Sequence, residues 1–122
     1  MAVGDDPLPH DLNGRWVVNI FKSLAPPGPV EQIDLLAAGA GVRIERIVSH
    51  GHCSAPDFWY DQDDDEWVLV VQGSGTIAFD DGETVKLCTG DHLLIPAHRR
   101  HRVMHTEATT IWIAVFIPPR PA

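Results

Sequence analysis

The sequence is poor in several residue types that carry common chemistries. Two cysteines, Cys53 and Cys88, stand in 122 residues. They allow at most one disulfide and no CxxC pair for a thiol-bound metal or redox centre. Cys53 reads as a small semi-buried thiol, since no activating base lies near it in sequence. Basic residues are scarce too: 9 Lys and Arg face 17 Asp and Glu, a formal charge of −8. That balance repels polyanions and excludes nucleic acid as the expected partner. The one basic block, "HRRHR" from His98 to Arg102, reads as a salt-bridged turn. Long apolar runs are missing, far short of the roughly 20 residues of a membrane span. The start, "MAVGDDPLPHDLNG", puts acids and prolines where a secretory signal has a basic region and an apolar run. A cytoplasmic protein without a membrane partner is the expectation.

What is present is a rhythm of short strands. "VRIERIVS" from Val42 alternates with one irregularity, "WVLVV" from Trp67 is continuously apolar, and "TIAF" and "ETVKL" flank the tight turn "DDG". "HLLIP" and the long "TTIWIAVFI" complete the set. Upstream, "WVVNIF" from Trp16 is a short strand candidate, and Val30 to Ala38 fits either a short helix or an extended edge. At least six strands at intervals of about ten residues, each bounded by Gly, Asp or Pro, predict an antiparallel sandwich or barrel. The chain is one domain, residues 1–122, with a barrel core over about 41–117 and an N-terminal arm with edge elements over 1–40. Gly73, Gly75, Gly82 and Gly90 are expected at turns that need positive φ. Trp59, Trp67 and Trp112 are expected in the core or a pocket wall, and His92 reads as structural.

Chemistry concentrates in two stretches. The first, "FWYDQDDDEWVLVVQG", crowds five carboxylates into one turn. A calcium loop counted from Asp61 needs Gly sixth and Glu twelfth, but Glu66 and Gln72 stand there, so the run is not such a loop. Asp61, Asp63, Asp64 and Asp65 read as solvated charges. In an extended chain residues two apart share a face, which pairs Tyr60 with Gln62 and lets Glu66 return toward them. In the second stretch, "GDHLLIPAHRRHRVMH", the same rule puts His101, Val103 and His105 on one face. A barrel would aim Gln62, Glu66 and His101, with Tyr60 or His105, at one interior point. Imidazole, carboxylate and amide together suit a divalent ion such as Zn, Fe, Mn or Ni.

These stretches resemble the two motifs of the cupin superfamily. Glu66, six residues, then Gly73 is similar to the end of the first motif. Gly90, five residues, Pro96, one residue, His98 at a usual glycine position, two residues, then His101 is similar to the second. The resemblance implies a small single-domain cupin, a jelly-roll β-barrel that is usually dimeric and holds a metal inside. Tyr60 and Gln62 stand where the first motif normally has two histidines, so that motif is degenerate. Glu66 and His101 match the usual ligands, and Gln62 is a third metal candidate. His98 and His105 (at a position often held by Asn), or His50 and His52, are the imidazoles available to replace the missing pair.

The expected function is therefore a metal-binding cupin that acts on a small organic molecule in the barrel. Tyr60, His98 and His105 are the candidates for proton transfer. Isomerase, lyase and oxygenase chemistry all fit, because fold does not fix reaction. Two alternatives stay open. One is a non-enzymatic ligand-binding or sensing barrel, with Glu66 neutralised by a proton or by Arg99, Arg100 or Arg102. The other is a metal-free enzyme in which His101 and Tyr60 act as acid and base.

Overall fold

Apolar residues at every second position build a β structure with no helix in the computed structural model, which describes residues 17–119. Eight strands follow in order: β1 (Gln32–Gly39), β2 (Val42–His50), β3 (Asp65–Gln72), β4 (Ser74–Phe79), β5 (Thr84–Cys88), β6 (His92–Ile95), β7 (His101–Thr106) and β8 (Ala108–Ile117). They form a five-stranded sheet, β1-β2-β8-β3-β6, and a three-stranded sheet, β5-β4-β7. Every pairing within them is antiparallel, as a jelly-roll barrel requires. The segment from Val30 to Ala38 is thus the extended edge and not the helix.

The core lies between the sheets. Val68 and Val70 of β3 face inward and sit beside Ala114 and Trp112 of β8. Ile77 and Phe79 of β4 close over them from the smaller sheet. Each such side chain, fully buried, contributes about 1.5–3 kcal/mol. Gly75 belongs to this packing rather than to a turn. Its φ is not positive, and a Cβ there would overlap the Trp112 ring, so the missing side chain makes room for the indole. Gly73, Gly82 and Gly90 do adopt positive φ, at 81°, 94° and 91°.

Residues 17–21 form no strand. The chain turns there instead: Asn19 accepts the Phe21 amide on its side chain and the Lys22 amide on its carbonyl. Trp16, the first residue of that candidate, lies outside the described residues. Arg46, on the outer face of β2 and fully buried, fixes the arm by donating to the carbonyls of Ile20, Lys22 and Ser23. Its guanidinium also grips Asp34 of β1 at 2.6 Å. A buried guanidinium with every donor engaged is the arrangement that makes such burial tolerable. Cys53 and Cys88 are both free and both exposed, so Cys53 is not semi-buried.

Candidate functional site

A pocket opens between the sheets, with about 410 Å³ of space free of protein atoms when the open solvent at its mouth is included. Its apolar wall is Ile47, Val68, Ile77, Ile95, Val103 and Trp112. Five polar residues interrupt that wall: Glu31, Ser49, Tyr60, Glu66 and His101.

Glu66 is the second residue of β3, and alternation with Val68 and Val70 turns it inward. His101 opens β7 and lies opposite Phe79 of β4. Both are nearly fully buried, at 5% and 4% exposure. The His101 Nδ1 lies 2.8 Å from the Arg99 carbonyl. A carbonyl only accepts, so Nδ1 carries the hydrogen and Nε2 is left facing the pocket. Nε2 lies 3.5 Å from Glu66 Oε1, too long for a strong hydrogen bond. Among the described residues the Glu66 carboxyl accepts no hydrogen bond.

Tyr60 reaches the same point from a loop. Its amide donates to the His101 carbonyl at 2.7 Å and its carbonyl accepts the His101 amide at 3.1 Å, an isolated antiparallel bridge. The phenol stacks on the imidazole with centroids 5.5 Å apart. Burial, then the nearby carboxylates Glu31 and Glu66, push its pKa up to about 12, which holds it as a neutral donor.

The other candidates are placed elsewhere. The side chain of Gln62 does not line the pocket; its carbonyl accepts the His98 amide at 2.8 Å. His98 stands on the surface, with Nδ1 at 2.7 Å from Asp61 and Nε2 at 3.4 Å from Asp63. His98 has φ 63°, the left-handed geometry that explains why glycine is usual at this position. His105 does not share the face of His101 and Val103. Val103 pairs with Ile77 and His105 with the next residue, Thr76, so Met104 is an extra residue in the ladder. This β-bulge resets the alternation: Met104 and His105 both point outward, and Thr106 returns to the interior.

Nor do His50 and His52 line the pocket. His52 Nδ1 accepts the His50 amide at 2.9 Å and Nε2 meets the Gly28 carbonyl at 2.7 Å, so backbone groups hold both ring nitrogens. The three arginines of the basic block are engaged outside. Arg99 pairs with Asp81 and covers the Phe79 ring, Arg100 reaches Asp80, and Arg102 lies over Trp59. Trp67 donates its indole N–H to His92 on the same outer surface. Asp65 differs from its acidic neighbours, because its carboxylate accepts the Ala97 amide at 2.7 Å and ties β3 to the second motif.

Two pocket residues escaped the sequence reading. Ser49 follows Ile47 by two positions in β2, so alternation alone could have placed it inside. Glu31 precedes β1 in an irregular stretch, where no periodicity points to it. The Ser49 hydroxyl lies 3.2 Å from the Glu31 carboxyl. Burial raises the Glu31 pKa; the Ser49 hydrogen bond and nearby His52 oppose the rise, and the Glu66 charge adds to it. A third carboxyl, Glu45, is fully buried at the end of the interior. Arg43 meets one of its oxygens at 3.0 Å; the other has no partner among the described residues.

Fold and pocket together define a small jelly-roll barrel with a polar cluster inside. The profile of the cupin domain matches residues 44–116, and the chain belongs to that family. A crystal structure from Ralstonia eutropha JMP134, described as a "putative mannose-6-phosphate isomerase", is 40% identical. It superposes with TM-score 0.80 over 84% of this chain and 97% of that one. A cupin superfamily protein from Desulfitobacterium hafniense DCB-2 has TM-score 0.67 and 20% identity over 78% of this chain and 84% of that one. KdgF from a Halomonas species has TM-score 0.67 and 22% identity, covering 84% of this chain and 94% of that one. The last two likenesses are of fold alone. No curated protein matches significantly.

Proposed function

We propose that this cupin binds a small organic molecule in its interior pocket and exchanges protons with it through His101, Glu66 and Tyr60. One observation carries the reading. A nitrogen and a carboxyl oxygen, 3.5 Å apart and nearly fully buried, both open on the pocket, and a neutral phenol stacks beside them. In that arrangement Nε2 takes a proton from a carbon beside a carbonyl and returns it to the neighbouring atom. Glu66 stabilises the imidazolium in between, and Tyr60 donates to the oxygen that gains charge. Moving a double bond this way consumes no co-reactant. The isomerase name of the 40% identical relative is consistent with chemistry of this class.

The divalent metal expected from the family resemblance is tested by the donor set. Only Glu66 and His101 converge, since Gln62 does not line the pocket and the phenol holds its proton. Among the described residues no group of three or more His, Cys, Asp or Glu could hold an ion. Catalytic zinc sites keep three protein ligands. The residues present do not fit a resident ion, and no step above uses one.

The test is elemental analysis of untagged protein, with a thermal-shift screen of small organic compounds on wild type, His101→Ala and Glu66→Gln. We expect sub-stoichiometric metal, and compounds that raise the melting temperature of wild type and of neither variant. Stoichiometric metal that disappears in both variants, or ligands that bind only after a divalent ion is added, would overturn the proposal.

A further inference from the structure

Among the described residues, the carboxylates and basic side chains that line the pocket are unevenly matched, and no lysine or arginine is among them. The carboxylates are Glu31 and Glu66. Glu45 adds a third carboxyl behind the wall, where Arg43 meets one of its oxygens. Arg99 and Arg100 are committed to outside carboxylates, and Arg102, which is not in the lining, lies 5.5 Å from the centre of the Trp59 ring. His52, the imidazole that acts on Glu31, lies outside the pocket lining with both nitrogens engaged by backbone groups. Among the described lining residues His101 is the one imidazole, beside the two carboxyls. Among the described residues Glu66 has no hydrogen-bond donor to compensate its burial, although it is 95% withdrawn from solvent. Aromatic faces complete the wall, from Trp112 and Tyr60.

We propose that the pocket takes a small organic cation, an ammonium of a few carbons, and that Glu31 with Ser49 is the residue pair that selects it. The inference rests on the pocket reading above and deepens it by naming the substrate class. An ammonium supplies the opposite charge and up to three donors that the carboxyls lack. Its alkyl part meets Ile47, Val68 and Ile77, and aromatic faces attract cations further. A neutral hydroxyl supplies one donor and no charge. A phosphorylated sugar brings negative charge to two carboxyls at low local dielectric and is rejected. This chain therefore differs in substrate charge from what the name of its 40% identical relative describes.

A matched probe series tests this. The Trp112 indole N–H, assigned with Trp112→Phe, is followed by NMR during titration with n-butylammonium, 1-butanol, butyrate and mannose 6-phosphate. We expect n-butylammonium to bind at least about tenfold more tightly than 1-butanol, and neither anion to move the signal at the same concentration. Glu31→Gln should remove most of that preference. Glu31→Lys should admit butyrate, and this half-buried position ahead of β1 leaves both variants free to fold. Binding of either anion to wild type as tightly as the ammonium, or a preference unchanged in Glu31→Gln, would overturn the proposal. If 1-butanol reaches Trp112 with no preference for charge, the cation proposal falls and the pocket reading stands. If no probe reaches Trp112, both fall.

Discussion

Two histidine–carboxylate pairs lie three residues apart in the second motif and have opposite surroundings. His101 faces Glu66 inside the barrel at 3.5 Å, each about 95% buried. His98 meets Asp61 outside at 2.7 Å, with side chains 62% and 50% exposed. The outer pair is shorter and better formed, yet water screens it and solvates either partner alone. The inner pair is looser, and the Glu66 carboxyl and His101 Nε2 face the pocket, where something else can use them. A good bond marks a structural contact here, and the loose pair that faces the pocket marks the candidate site.

The most direct way to break this contrast is to remove the inner pair altogether. Buried polar pairs with poor compensation cost stability, and apolar replacement often stabilises by about 1–4 kcal/mol. The double variant Glu66→Leu/His101→Leu should therefore unfold at higher urea and lose every pocket ligand. Asp61→Asn should leave ligand binding unchanged. A large loss of stability in the double variant would assign the inner pair to the fold instead.

The parts of the site that were legible were those written in strand alternation. Glu66 is inward because Val68 and Val70 are, and His101 is inward because it starts a strand opposite β4. The same rule misplaced His105, because nothing in "HRVMHT" announces the extra residue at Met104. Gly75 looked like a turn glycine; its reason is a tryptophan 37 positions away in sequence (Trp112), which no local pattern contains. Glu31 was illegible for a related reason. It comes from an irregular segment that approaches the pocket through tertiary packing, with Arg46 holding the chain just before it. Class and barrel order are local properties of this sequence, while half of the pocket's charge is not.

The bulge gives an intermediate test, because it separates the faces that the two pairs occupy. Met104 is the spare residue of the β4–β7 ladder and is 46% exposed. Deleting it should leave His105 outward and Thr106 inward, with His101 and the pocket unmoved. Deleting Arg102 instead should turn Val103 outward and put Met104 in its inner place, which alters the pocket wall, since the shortened strand then alternates from His101 without the bulge. Imidazole and indole NMR shifts read both outcomes. A native pocket in the Arg102 deletion, or a disrupted one in the Met104 deletion, would show that alternation is not what aims His101 inward.

The smallest effect belongs to the outer pair and is a matter of pH. The hydrogen bond that His98 donates to Asp61 raises the His98 pKa above 6.5, with the Asp61 and Asp63 charges adding to it. A histidine whose folded value lies above its unfolded one adds stability below the unfolded value, and the gain fades as pH rises through the folded one. Wild type should therefore exceed Asp61→Asn in melting temperature at pH 6, and the difference should vanish by pH 9. The backbone adds a second term of opposite sign, since His98 holds φ 63°. His98→Gly relieves that geometry and deletes the ion pair, so it should be the more stable protein at pH 9 and lose its lead at pH 6. A gap between His98→Gly and wild type that does not change with pH would mean that the outer pair contributes nothing and only the turn matters.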